Sequence, residues 1–525
     1  RGIFISVDLT TASNITGNTV RNISLTPVTT STSQGAFSIL NGWVNVNNNI
    51  IGSQSATGSI TFSTTSSNAM FSGIFAGSGS ANGNITISGN SIGGITVTGT
   101  GTPSFRGITF QSSGITSTTQ YTVTNNTIGS LTTANSIQNT ANAGVFGIVG
   151  LAAQTTSLNL ISGNTIANLT STSTGTTAAV TGIASAGSTG GYYTVLNNTI
   201  RNLSASSAPT AAGTINVLGI SHSAATTAGQ NISRNTIYAL TAATTAAQSP
   251  SVIGIYYSGP TSGTNVVERN LVYNLTNSAT GASPAVQGIY AAAGLTRFQN
   301  NMVRLGTDVT TNTQVLGIND ISGTNSYYFN SVHIGGAASG TLNSFAFSSS
   351  VTVNTRNFSN NIFSNQRTNS GAGKSYAVQV AGTAANPAGL TLNYNDYYVS
   401  GTGTVFGRFN SADVASLAAW NTAVGQDANS ISADPLFVSA TGATPDLHVS
   451  AGTPIEGVGV NIASVTNDFD GDVRASSTPV DLGADAGNFM SYPVINFTPL
   501  ANTCATTSRT LVATITGSRT IFLAL

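Results

Sequence analysis

ISGNTI, residues 161–166, sets one asparagine, Asn164, in a short β-branched run, and the same frame returns along most of the chain. It reads ITGNTV at Asn18, NNNIIG at Asn49, ISGNSI at Asn90, TNNTIG at Asn126 and LNNTIR at Asn198. Further on it reads SRNTIY at Asn235, ERNLVY at Asn270, QNNMVR at Asn301, YFNSVH at Asn330, SNNIFS at Asn361 and NYNDYY at Asn395. The twelve asparagines stand 29 to 41 residues apart, the spacing of one supersecondary unit repeated many times. Two places after each stands an apolar residue, from Val20, Ile51 and Ile92 through Ile166 and Ile200 to Phe363 and Tyr397, so this column is buried.

A second motif interleaves with the first: Gly73-Ile74, Gly107-Ile108, Gly147-Ile148, Gly182-Ile183, Gly219-Ile220, Gly254-Ile255, Gly288-Ile289 and Gly317-Ile318. Each repeat therefore reads as a short strand around Gly-Ile, a second strand ending in the asparagine, and a third strand after it. Runs this short, rich in β-branched residues and broken by Gly, Asn, Ser and Thr, argue against helix. The nearest approach to helical spacing is Val414 to Trp420, one or two turns at most.

Stacking such coils pairs each strand in parallel with its copy and buries a continuous core. The expected fold is an all-β parallel β-helix, right-handed as crossover connections are. About twelve coils at about 4.8 Å each make a rod on the order of 55–60 Å long. The stacked amides of Asn90, Asn126, Asn164, Asn198, Asn235, Asn270, Asn301 and Asn330 can bond their own turns and one another as an asparagine ladder. Asparagine also tolerates the left-handed backbone that such turns demand.

Composition narrows the function classes. Only 6% of the 525 residues are charged and the net charge is zero. Fourteen arginines spread along the chain and the single Lys374 form no basic stripe for nucleic acid and no polybasic membrane patch. No window holds eighteen consecutive apolar residues, so no direct membrane insertion is expected. One cysteine, Cys504, excludes an internal disulfide framework. The chain opens within a coil, with neither Met nor a signal peptide, which predicts a mature or excised segment of a longer exported protein.

The repeat fades after Asn395, which divides the chain into β-helix repeats (1–400), terminal coils with an acidic cap (401–490) and a last segment (491–525). Ten of the fifteen acidic residues lie between Asp413 and Asp485. Here the chain reads Asp434-Pro-Leu-Phe-Val438, Asp446-Leu-His-Val449, Gly452-Thr-Pro454, Asp468-Phe-Asp-Gly-Asp472 and Asp481-Leu-Gly-Ala-Asp485. This string resembles the C-terminal end of secreted right-handed parallel β-helix surface proteins of Bacteroidetes type, with two departures. Pro454-Ile-Glu456 stands where PAID is usual, and Ala484-Asp-Ala486 lacks the closing Glu. The segment from Asn496 to Ile515 resembles the first strands of an Ig-like domain, cut short. The resemblance implies export, in many such proteins by the type IX route, and display at the cell surface; it supplies no ligand.

Enzymes built on this fold act on polysaccharides with clustered carboxylates. Between Asp8 and Glu268 this chain has no Asp or Glu, and Glu268, Asp308, Asp320 and Asp396 fall in separate coils. His222 and Asp320 share a register but lie three coils apart, roughly 14 Å, too far for a direct dyad. His333, beside the buried Val332, reads as an exposed strand residue, and His448 as part of a capping strand.

The most site-like feature is aromatic. Tyr256 and Tyr290 stand two after the repeated glycine, outward on successive coils, with Tyr257 and the pairs Tyr192-Tyr193 and Tyr327-Tyr328 nearby. Flat tyrosine faces beside Asn and Ser suit carbohydrate; the plainer reading is that they shield strand backbone or meet a neighbouring protein. Asp468, Asp470 and Asp472 are spaced like the start of a Ca²⁺ loop but lack its distal Glu, so they also read as a polar turn. The expectation is a non-catalytic extracellular rod, structural or adhesive, with polysaccharide or another surface protein as partner. The alternatives are a polysaccharide lyase or glycoside hydrolase of the β-helix class, and a subunit of an extracellular filament.

Overall fold

The computed structural model describes residues 2–26, 33–77, 83–112, 118–187, 191–209, 214–224, 227–244, 247–476 and 479–489, and the backbone of 494–497 and 513–516. Three long sheets wind around one core: sheet A of 14 strands, sheet B of 12 and sheet C of 16. Each coil contributes a strand to each. One coil runs through Ser251–Ser258 in sheet A, Val266–Glu268 in sheet B and Leu271–Asn277 in sheet C. The next coil pairs with it in parallel, Ile255 opposite Ile289, Val267 opposite Phe298 and Val272 opposite Val303. The chain is thus an all-β parallel β-solenoid. Val494–Phe497 and Ala513–Thr516 pair antiparallel, while most of the segment expected to begin an Ig-like domain lies outside the described residues.

Periodicity in sequence becomes periodicity in packing. Ile220, Ile255 and Ile289 from sheet A meet Ile237, Val272 and Val303 from sheet C, all with no exposed surface. The repeated glycine makes this approach possible. A Cβ on Gly219 would lie 2.5 Å from the Gly254 carbonyl oxygen and 2.5 Å from Cγ2 of Ile237. The same clash recurs at Gly107, Gly147, Gly182 and Gly254, so sheet A lies against sheet C at a distance that admits no side chain there.

The asparagines form an unbroken ladder. The backbone N–H and the Nδ2 of Asn198 both donate to Oδ1 of Asn235, each at 3.0 Å, and Asn235 donates in the same way to Asn270. The remaining amide hydrogen of each rung reaches a carbonyl of the coil before, as from Asn235 to Val195. Eleven such steps run from Asn18 to Asn395, and the N–H of Asn395 ends the series on the Ser430 hydroxyl. Left-handed backbone does occur at these turns, but at the residue before the ladder asparagine. It is Gly89, Asn125, Gly163 and Asn197 in early coils, and Arg234, Arg269, Asn300, Phe329, Asn360 and Tyr394 later. The ladder asparagine is chosen for its two-sided hydrogen bonding, and its neighbour carries the strain.

The C-terminal end of the rod is closed. The last parallel strand of sheet A, Thr404–Phe409, is met antiparallel by Ala412–Val414. Helix α1, Leu417–Val424, follows, capped by the Ser416 hydroxyl and a left-handed Gly425. It lays Trp420, with no exposed surface, against Phe406, Phe409 and Tyr397. Asp427 accepts from Tyr397 Oη at 2.7 Å and Trp420 Nε1 at 2.9 Å, satisfying both polar tips.

Beyond this lid, residues 434–489 turn back as a strap along the outer face of sheet C. The strap is gripped by the left-handed residues themselves. Asn360 exchanges hydrogen bonds with both backbone groups of Val460, and Asn300 donates to the Asn467 carbonyl at 2.7 Å. Arg269 Nε donates to the Phe469 carbonyl at 2.6 Å, and the Phe329 ring lies 3.9 Å beneath the Arg474 guanidinium. From Val460 to Phe469 the strap descends opposite to the order in which the coils were laid down, and it then turns back, Arg474 to Phe329 and the Gly483 N–H to the Asn360 carbonyl. Met302, Leu447 and Ala484 bury together under it, as do Ile362, Val449, Ile455 and Leu482.

Candidate functional site

Alternation along a strand decides which residues can meet a ligand. On sheet A the isoleucine after the glycine points inward, the next residue outward and the one after that inward again. Tyr256 and Tyr290 are therefore outward and half-buried, whereas Tyr257 has no exposed surface. Tyr193 and Tyr327 are also fully buried, leaving only Tyr192 and Tyr328 of the two pairs half-exposed. The outer cluster is thus narrower than the sequence suggests. Tyr256 and Tyr290 stack on each other, ring centres 5.4 Å apart and planes at 14°. Each ring spends one face on its neighbour and keeps one.

The Tyr256–Tyr290 row continues down the same face. Register carries it through Asn319, Ser348 and Gln379 to Arg408. Sequence reasoning missed these four: Asn319 follows Gly317-Ile318 but is not aromatic, and in later coils the glycine that marks the row becomes Ala346, Ala377 and Phe406. Asn319 donates to Gln287 in the adjacent row at 2.8 Å, and Gln379 donates to Ser348 at 3.2 Å. At the row's end an open hollow of about 430 Å³ is lined by Asn343, Lys374, Tyr376, Arg408, Ser411 and Asp413. Asp413 pairs with Lys374 and accepts from Tyr376 Oη at 2.8 Å.

The histidines and isolated carboxylates are structural. His222 is interior, its Nδ1 2.8 Å from the Ser185 hydroxyl, and burial lowers its pKa to about 3. His333 is 2% exposed, not the exposed strand residue expected, because Phe437 of the strap lies edge-on over it at 6.1 Å. Burial, with Arg304 alongside, brings it to about 4. Asp320 is inside the rod, held by Ser349, Asn325 and Tyr327. Glu268 accepts from Gln299, Asp308 pairs with Arg304, and Asp396 is buried under the Ala433 N–H. Among the described residues of the rod no two of these carboxylates share a site.

The structure separates Asp468, Asp470 and Asp472. Asp468 is 1% exposed and consumed by its own turn: Oδ1 accepts from the N–H of Gly471 and Asp472, Oδ2 from that of Ala486. Asp470 points elsewhere, to Nε2 of His448 at 2.8 Å, while Asp446 meets Nδ1 at 2.5 Å. His448, Asp470 and Asp485 offer ligand atoms within 4.8 Å of one another. One imidazole nitrogen with carboxylate oxygens is a donor set closer to zinc than to calcium. Its signal in sequence was His448 itself, 22 residues from Asp470.

This corner gives the strap a pH dependence. Burial opposes a charge on His448, but its hydrogen bond to Asp446 and the charges of Asp485 and Asp470 outweigh it and raise the pKa. Burial raises Asp481 to about 6, against hydrogen bonds from the Gly457 and Gly487 N–H groups. Both groups bind their protons more tightly when folded, so their stabilisation is complete below the unfolded values and is lost as pH rises through the folded ones. Hydrogen exchange of Asp446–Val449 and of residues 480–487, corrected for intrinsic rates, is expected to be more protected near pH 5 than near pH 8. Equal protection at both would show that neither proton matters to the strap.

No protein-family model matches the chain, and comparison with curated proteins finds no match. No helix among the described residues is long and apolar enough to cross a membrane.

Proposed function

We propose that the chain is a non-catalytic extracellular rod of a larger surface protein, structural or adhesive, that contacts glycans through the outer face of sheet A. The observation that carries this reading is the placement of the rod's carboxylates, each buried or bonded apart from the others, beside a row in which Tyr256, Tyr290, Asn319 and Gln379 stay partly exposed. Polysaccharide cleavage needs two acid–base groups facing one bond; binding needs only ring faces and hydrogen-bonding groups in line. A sparsely charged Thr, Ser and Asn surface also keeps its properties across changes of salt. An array of plant, algal and bacterial polysaccharides, scored for binding and for new reducing or unsaturated ends, tests the reading. Binding without cleavage is expected; new chain ends from any polymer would make the protein an enzyme.

A further inference from the structure

We propose that the sheet A face holds an anionic polysaccharide laid along the rod axis, with an acidic group of the sugar seated at Arg408, beside the Lys374–Asp413 pair. This rests on the glycan-contact reading above and adds the chemical class and the orientation of the polymer.

Three observations point the same way. The first is the row: Tyr256, Tyr290, Asn319, Ser348, Gln379 and Arg408 occupy one outward register, one side chain per coil. Four steps of about 4.8 Å separate Tyr290 from Arg408, so the row extends on the order of 19 Å in a straight line. Ser348 is 4% exposed and lies under Gln379, so the file offered to a ligand is of ring and amide groups, which suits a linear polymer that repeats its own hydroxyls. A protein partner would instead ask for a broad apolar centre ringed by polar groups.

The second is the ring stack. With Tyr290 covering one face of Tyr256, the other face is turned toward the coil of Ser221, whose side chain is too small to cover a ring. That leaves one platform at the start of the row.

The third is charge. In a chain with 6% charged residues, the hollow at the other end brings Arg408 and Lys374 together. Lys374 already neutralises Asp413. Arg408 forms no ion pair among the described residues, although it stands opposite Asp413 across the strand pair; its Nη1 donates to the Gln379 amide oxygen at 3.3 Å. The rest of the guanidinium fork, beside Asn343 and Ser411, is matched to the oxygens of a carboxylate or a sulfate.

The test is affinity electrophoresis or calorimetry of the intact chain with polygalacturonate, a sulfated galactan and neutral galactan, at low and high salt. At least one acidic polymer is expected to bind about tenfold or more tighter than the neutral one, with the advantage shrinking in salt. Arg408→Gln is expected to remove that advantage, Arg408→Lys to keep some of it, and Tyr256→Ala to weaken every polymer that binds. Thermal melts identify any variant that fails to fold. Whether uronate or sulfate is the preferred group follows from which acidic polymer responds to R408Q. Equal binding of neutral and acidic polymers, or acidic binding untouched by R408Q, would overturn the anionic inference and leave glycan contact standing. Absence of binding to all three, repeated across the wider array, would overturn both.

Discussion

Asn235→Ala is expected to cost the rod on the order of 4 kcal/mol, far more than a deleted amide costs on a surface. Asn235 has no exposed surface, and its side chain serves the coils on both sides. Its removal leaves the Asn198 N–H, 3.0 Å from Asn235 Oδ1, without an acceptor, and takes one acceptor from the Asn198 Nδ2, which keeps the Ile161 and Leu196 carbonyls. It also deprives the Val195 and Ser233 carbonyls of a donor. Each buried group stranded in this way costs about 1–3 kcal/mol, and water cannot reach them. Asn18 provides the contrast, since it donates to Asn49 but receives nothing from an earlier rung among the described residues. Asn18→Ala is expected to cost no more than about 1 kcal/mol. Equilibrium urea unfolding of the two variants measures both; similar small losses would reduce the ladder to ornament.

The second large effect is local. Arg474→Ala is expected to release the strap, at a local cost of about 3–5 kcal/mol, while leaving the coils intact. Arg474 is 3% exposed, and its Nη2 donates to Asn300 Oδ1 and to the Gly483 and Ala484 carbonyls. Its charge balances Asp468, Asp481 and Asp485, so its loss leaves buried carboxylates without a counterion. Arg474→Lys is expected to recover only a fraction of this, because an ammonium cannot both stack on Phe329 and hold three acceptors. Limited proteolysis should cut the R474A variant within residues 434–489 and spare the coils. Wild-type resistance of the strap would place its anchoring elsewhere, at the Asn360–Val460 exchange or the apolar clusters.

The repeat was legible because each coil imposes the same demands at the same places: a bidentate amide at Asn164 or Asn235, a missing Cβ at Gly219, a β-branched residue at Ile200. Chemistry set by a single residue type at a fixed spacing survives reading along one dimension. What failed to show was of three kinds. Exposure was misjudged at His333, which faces outward but lies under the strap, and the inward side of Tyr257 went unread, although a one-residue shift along a strand exchanges inside for outside. Direction was hidden at Asp468 and Asp470: their spacing allowed either a shared ion or a polar turn, and one carboxylate closes the turn while the other reaches His448. Partnership across long separations was hidden altogether. Arg269 and Phe469 are 200 residues apart, and nothing about an arginine before an asparagine announces a strap. The row ending at Arg408 sits between these cases, readable by counting register only once Ala346 and Ala377 are known to stand in the glycine column.

The strap also determines how the rod would break. When a solenoid is pulled end to end, its inter-coil hydrogen bonds lie along the line of force and give way layer by layer, as in opening a zipper. From Asn360 to Arg269 that load is shared by a polypeptide running lengthwise across four successive coils and fastened to each. The coils before Arg234 have no such splint among the described residues. Stretched, the molecule should yield first in that unsplinted stretch, unravelling there while the segment beneath the strap holds its shape.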